Sequence, residues 1–174
     1  RFDKGNYSFS LGNTTSNGIV PSTGMDRYNV KMSAEAQLHP NWTTGFNGNF
    51  VTSKISKQST ANTSVVATIY NAPVSYNMAG IPSHIEGDPY TQNTYRDSWI
   101  DDAYWAVDNN QFSERSQRFF GNAFVKYTTK FGTDNHKLDI KHQIGDDAYT
   151  TNYSEIYGYG STWAPTGEDS EYHY

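Results

Sequence analysis

The stretch Arg27–Ile55, RYNVKMSAEAQLHPNWTTGFNGNFVTSKI, decides how the rest of the chain is read. It holds two alternating runs joined by His39-Pro40-Asn41. In the first run Tyr28, Val30, Met32, Ala34, Ala36 and Leu38 share one face, against Asn29, Lys31, Ser33, Glu35 and Gln37 on the other. The second run sets Trp42, Thr44, Phe46, Gly48 and Phe50 against Thr43, Gly45, Asn47 and Asn49. Successive side chains of a strand point to opposite faces, so the stretch predicts an antiparallel hairpin with one apolar and one wet face. Each run spans about 9–12 residues, the length a tilted strand needs to cross a bilayer, whereas soluble strands cluster near 5–6.

Working outward, Asn6 to Thr14 predicts a strand with Tyr7, Phe9 and Leu11 on one face. A connection over 15–26 follows, marked by Asn17-Gly18 and Pro21-Ser22-Thr23-Gly24. Beyond the hairpin the alternation fails from Ser56 to about Gln117, a segment carrying Pro73, Pro82 and Pro89 and many rings. Within it, Ser64–Tyr70 (SVVATIY) reads as a short strand. Alternation resumes at Arg118, with Phe119, Gly121, Ala123, Val125, Tyr127, Thr129 and Phe131 opposite Asn122, Phe124, Lys126, Thr128 and Lys130. Gly132–Asn135 predicts a tight turn, and His136–Ile144 a further strand with Leu138, Ile140 and Ile144 on its apolar face. From Gly145 onward no strand can be bounded.

The connections thus run long, short, very long, short, long. Antiparallel neighbours leave their connections alternately at the two ends of a sheet, so the long ones are expected at one end and the tight turns at the other. Bacterial outer-membrane barrels have this asymmetry, with short periplasmic turns and long external loops. With the tight turns periplasmic, Trp42 and Phe131 sit at that interface of the apolar face, and Tyr28, Phe50 and Phe119 at the other, as aromatic girdles do. Lys31, Glu35, Lys126, Lys130, Lys137, Asp139 and Lys141 then point to a lumen. The solvated face of a soluble sheet yields the same alternation.

Composition bounds the function classes. Of 174 residues, 35% are hydrophobic and 16% aromatic, with 14 Tyr, 9 Phe and 4 Trp. Mean hydropathy is −0.79. This is too ring-rich for a disordered acidic chain and suits a β protein with one wet face. A net charge of −5 without a basic cluster argues against nucleic acid as a partner. The absence of cysteine excludes a disulfide scaffold and thiolate metal sites. His39, His84, His136, His142 and His173 lack ligand spacing, and Asp101-Asp102 and Asp146-Asp147 lack the pattern of a calcium loop, so no metal or cofactor is expected. Carboxylates such as Glu86, Asp101 and Asp102 make a glycosidase pair only through their separation in space, and no enzyme is expected. The chain opens in mid-strand at Arg1-Phe2-Asp3 and stops at Glu171-Tyr172-His173-Tyr174, which reads as a piece of a longer protein.

Several ordered motifs resemble a known family. Gly18–Asn29 (GIVPSTGMDRYN), Ser64–Pro73 (SVVATIYNAP), Ala79-Gly80-Ile81-Pro82, Asp88-Pro89-Tyr90, Tyr104-Trp105-Ala106 and Arg118-Phe119-Phe120-Gly121-Asn122 are similar, in this order, to the barrel region of SusC/RagA-like TonB-linked outer-membrane proteins. The resemblance covers roughly residues 6–145. It implies a large antiparallel transmembrane β-barrel with an N-terminal plug, driven through the TonB complex. It also implies a SusD-like surface lipoprotein over the external loops and import of oligosaccharides or peptides across the outer membrane. Residues 1–174 would then be part of the barrel domain, without plug, TonB box or the remaining strands, and 56–117 its long external loop. About five strands are expected, too few to close such a barrel.

For a glycan cargo, rings that stack on sugar faces and polar side chains beside them would do the binding. Tyr90, Tyr95, Trp99, Tyr104 and Trp105, with Asp97, Asp101, Asp102 and Asn109, form the one such cluster and are the candidate cargo- or lipoprotein-binding residues. Packing of the loop against itself explains the same rings. The competing reading of the whole chain is a secreted soluble β-sandwich that binds glycans.

Overall fold

The computed structural model describes residues 4–60, 64–96, 100–132 and 136–173. The chain is all-β and mostly antiparallel, 63% strand with two short helices. In order, the elements are β1 (Gly5–Asn17), β2 (Gly24–His39), β3 (Trp42–Lys57), α1 (Val65–Asn71), β4 (His84–Ile85), β5 (Asp88–Gln92), α2 (Ala103–Asn109), β6 (Gln111–Phe131), β7 (His136–Tyr157) and β8 (Glu168–His173). Six strands form one open sheet in the order β1-β2-β3-β6-β7-β8, and β4-β5 is a separate hairpin.

The Arg27–Ile55 hairpin is present, and its strands are longer than the pattern indicated, at 16 residues each. β6 and β7 reach 21 and 22 residues. Five boundaries differ from the sequence expectation. β1 runs to Asn17, so the first connection is 18–23 rather than 15–26. β3 runs to Lys57 and β6 starts at Gln111, which shortens the long connection from 56–117 to 58–110. β7 continues through Gly145-Asp146-Asp147 to Tyr157, and β8 pairs with its last residues from Asn152↔His173 to Tyr157↔Glu168. The sheet therefore has six strands, not five. Of the expected Gly132–Asn135 turn, residues 133–135 lie outside the described ones.

Ser64–Tyr70 forms a helix, not a strand. Its β-branched composition favours a strand, but Val65 and Thr68 are buried at a spacing of three, a helical face. Ser64 caps the helix, its Oγ accepting from Ala67 N at 3.0 Å. The helix stops at Ala72, the residue before Pro73, where helical backbone is disfavoured.

The chain divides into two compact units. The described residues of the first (Arg1–Thr14, Arg27–Ser53, Ser116–Thr150) are strands and the short turn at Pro40-Asn41. Gln37 N donates to Lys4 O at 2.7 Å and Ser8 Oγ meets Ser33 Oγ at 2.7 Å, a register that sets Phe9 opposite Met32 and Leu11 opposite Val30. On the polar face Asp139 gathers Lys137 (2.9 Å), Lys126 (3.6 Å) and the Thr128 hydroxyl, while Arg118 Nε donates to Asp147 at 2.8 Å. Lys141 lies over the Phe124 ring at 4.3 Å. Gly45 lies beneath that ring, where a Cβ would stand 2.6 Å from Phe124 Cε1. The other face carries Val30, Met32, Phe46, Phe50, Phe119 and Ile144 around a shallow apolar groove. Trp42 packs on Tyr127 at 4.9 Å between centroids, and His136 stacks on Phe131.

The second unit (Thr15–Asp26, Lys54–Arg115, Thr151–Tyr174) holds all the longer connections and both helices. Its small core joins Val65 of α1 to Ala103 and Ala106 of α2, with Val20, Met78 and Val107 against them. Among the described residues no helix is long and apolar enough to cross a membrane.

Candidate functional site

The second unit holds the described candidate residues, and its polar chemistry centres on Asp101. This carboxylate is 6% exposed. Its Oδ1 accepts from Gln92 Nε2 (2.8 Å), Thr162 N (2.7 Å) and Thr162 Oγ1 (2.9 Å). Its Oδ2 accepts from Ser161 Oγ (2.9 Å) and, more weakly, Asn110 Nδ2 (3.4 Å). Gln92 also donates to Gly160 O, and its Oε1 accepts from Asp102 N at 2.7 Å. One buried carboxylate and one glutamine thus tie β5, the start of α2 and the β7–β8 connection together.

Asp102 is the N-cap of α2, accepting from Tyr104 N and Trp105 N, both at 3.0 Å. Burial pushes its carboxyl above the ordinary value of 3.8, against the two amide bonds that favour its charge. Trp105 is 1% exposed and donates Nε1–H to Pro89 O at 2.9 Å. Tyr95 donates its hydroxyl to Thr68 O at 2.8 Å and packs on Tyr76, and burial raises the phenol pKa of both rings. These four side chains, read from sequence as binding groups, are held inside the unit by its own bonds, and Asp101, Asp102 and Trp105 have no surface to offer a ligand.

Tyr90, Tyr104 and Asn109 lie on the surface. Asn109 spends its amide on Trp105 O, at 2.9 Å. Tyr90 meets Tyr159 edge-to-face at 5.0 Å, both rings more than half exposed. Their backbone is fixed beneath: Gly160 has φ +96, and a Cβ there would lie 2.2 Å from Tyr90 O. Asp88, in the same hairpin, accepts from Tyr90 N and Thr91 Oγ1, and the Thr91 bond above all holds its carboxyl below the usual range. Asp97 and Trp99 lie outside the described residues.

Sequence reading missed Tyr159 and the exposed Trp163 because they fall in the stretch after Gly145 that seemed featureless. It also missed a polar cavity of about 330 Å³ lined by Ser22, Lys54, Ser56, Gln58, Asp108 and Ser113, among others. These residues are far apart in the chain and no spacing joins them. No group of three or more His, Asp or Glu among the described residues is placed to hold a metal ion.

What the arrangement offers chemically is recognition: exposed rings and hydrogen-bonding side chains on a scaffold braced by buried polar bonds. Neither the scan against protein-family models nor the search of curated proteins finds a match for this chain.

Proposed function

We propose that this chain is part of the β-barrel wall of a TonB-dependent outer-membrane importer, taking up oligosaccharides or peptides together with a SusD-like surface lipoprotein. One observation carries the reading. The described residues of the first unit hold strands and a tight turn and no helix, yet they present an apolar face on which Met32, Phe46 and Phe119 are each nearly half exposed. A soluble antiparallel sheet covers its apolar face with a second layer, whereas a barrel wall turns that face to lipid. Strands of 13 to 22 residues exceed what soluble sheets use and suit a tilted crossing with extension beyond the bilayer.

In this reading the linked charges around Asp139 and the Arg118–Asp147 pair belong to the lumen face, where water and opposite charges accommodate them. The long connections bind cargo outside, under the lipoprotein. A plug elsewhere in the protein gives way when the TonB complex pulls on it. The wall makes and breaks no bond of the cargo.

The competing reading, a secreted glycan-binding β-sandwich, requires a second sheet against Phe46 and Phe119, and the described residues of the first unit supply none. Fractionation of the cells that make the protein separates the two. An outer-membrane importer resists alkaline carbonate, needs detergent for release and migrates differently on gels before and after heating. Release into the soluble fraction without detergent refutes the proposal.

A further inference from the structure

The sheet of the first unit assembles a charge pattern that no run of sequence shows. On its polar face β2 contributes Arg27 and Lys31, β6 contributes Arg118, Lys126 and Lys130, and β7 contributes Lys137 and Lys141. Against these cations the described strands set Glu35, Asp139 and Asp147 on the same face. More than half of the chain's 13 Lys and Arg, but three of its 18 Asp and Glu, lie on one surface of a chain whose net charge is −5.

Pairing within the face leaves a surplus of positive charge. Asp139 takes Lys137 and Lys126, and Asp147 takes Arg118. Arg27, Lys31, Lys130 and Lys141 have no ion-pair partner among the described residues, and all four are exposed. Two of the cations rest on rings, Lys141 Nζ over Phe124 at 4.3 Å and Arg118 over Phe120 at 5.1 Å. A lysine head is a compact, hydrated point charge, and unpaired ones gathered on one face raise a positive potential that draws anions.

The spacing selects the form of the anion. Lys126 and Lys130 stand four residues apart on β6, and Lys137 and Lys141 four apart on β7, which is about 13 Å along each strand. An extended polypeptide repeats its own side chains at the same rise, every second one on the same side. A segment with carboxylates at alternate positions therefore meets both lysine pairs in register. Its backbone finds side-chain amides that donate and accept side by side, as a peptide group does, at Asn29, Asn47, Asn122 and Gln143. We propose that the polar face of the first unit is a docking surface for an acidic polypeptide segment bound in extended form. The face is the same whether its reverse side meets lipid or a second layer, so the proposal stands apart from the importer reading.

The test is fluorescence anisotropy of the native protein, in detergent where it needs it, with a dansyl-labelled twelve-residue peptide of alternating Glu and Ser. Its Gln/Ser and Lys/Ser counterparts and a single-stranded oligonucleotide of equal charge are the comparisons. The expected result is binding of the Glu/Ser peptide, weakening about tenfold between about 50 and about 500 mM salt as the face is screened. Lys130→Glu combined with Lys141→Glu, at exposed strand positions outside any described ion pair, weakens it about tenfold or more, and the matching Gln pair weakens it less. Lys54→Glu, in the second unit, leaves it unchanged. Absence of Glu/Ser binding, equal binding of the Gln/Ser peptide, or undiminished affinity in the double Glu variant overturns the proposal. An oligonucleotide that binds as tightly also overturns it, since the face is then a surface for any polyanion. Failure of the importer reading is separately visible: a protein released without detergent that still binds the Glu/Ser peptide keeps the docking surface and loses the importer.

Discussion

Replacing Asp101 by Ala tests whether the loop unit is held by its buried carboxylate. The substitution strands four donors at 2.7 to 2.9 Å, from Gln92, Ser161 and two atoms of Thr162. It also removes the weaker contact to Asn110, and Ser161 and Asn110 are 1% and 3% exposed, so water does not readily replace the lost oxygen. Each buried donor left without a partner costs about 1–3 kcal/mol. The Ser161 hydroxyl can rotate and Gln92 keeps its bond to Gly160 O, so two uncompensated donors are the realistic count. The expected loss is about 3–5 kcal/mol, at the large end for one substitution. Hydrogen exchange read by mass spectrometry localises it. Peptides from 88–93 and 158–167 should lose protection about a hundredfold or more, while peptides from β2 and β6 keep theirs. Asp101→Asn, which keeps the shape and one acceptor, should fall between. Unchanged protection over 158–167 in Asp101→Ala refutes the idea that this carboxylate joins the segments.

Three further outcomes follow from the same structure. Gly160→Ala should destabilise the second unit by about 2–3 kcal/mol, since φ +96 is strained for any side chain and the new Cβ meets Tyr90 O; thermal unfolding checks it, and an unchanged midpoint contradicts it. Asp102→Ala should cost about 1 kcal/mol as a lost N-cap, whereas Asp102→Asn keeps a good cap and relieves a desolvated charge. Because folding raises the Asp102 pKa above 3.8, the wild type binds the extra proton when folded and loses stability as pH rises from that value through the folded one. The advantage of Asp102→Asn in urea denaturation should therefore grow across that window and then level off; parallel pH curves for the two proteins count against it. Phe119→Arg should cost about 2–4 kcal/mol in a bilayer and much less in water, while Asn122→Arg on the polar face should be tolerated; equal tolerance of both in lipid vesicles contradicts the lipid-facing assignment.

How far the fold was legible depended on what each strand has on its two sides. In β2 and β3 the apolar residues recur at every second position, and a period of two is enough to place them. β7 beyond Ile144 has Asp146 where an apolar residue would fall, flanked by Gly145 and Asp147, so the pattern breaks although the strand does not. What keeps it in the sheet is a partner: Arg118 on β6 bonds Asp147, a cross-strand pair that sequence does not display. The same holds at Ser64–Tyr70, where β-branched residues spoke for a strand and a serine cap, a following proline and a docking partner in α2 made a helix.

The loop cluster was legible as a place and misleading as a list of roles. Carboxylates and rings concentrated between Pro89 and Asn110 marked where a second folded unit lies. Sequence alone does not distinguish a carboxylate that meets a ligand from one that meets five protein donors. Asp101, Asp102 and Trp105 are rich in chemistry because an irregular loop without a large apolar core needs buried hydrogen bonds to hold its shape. That requirement consumes the residues most easily read as a site. The rings that the fold leaves at the surface are Tyr90 and Tyr159, edge-to-face over the same hairpin.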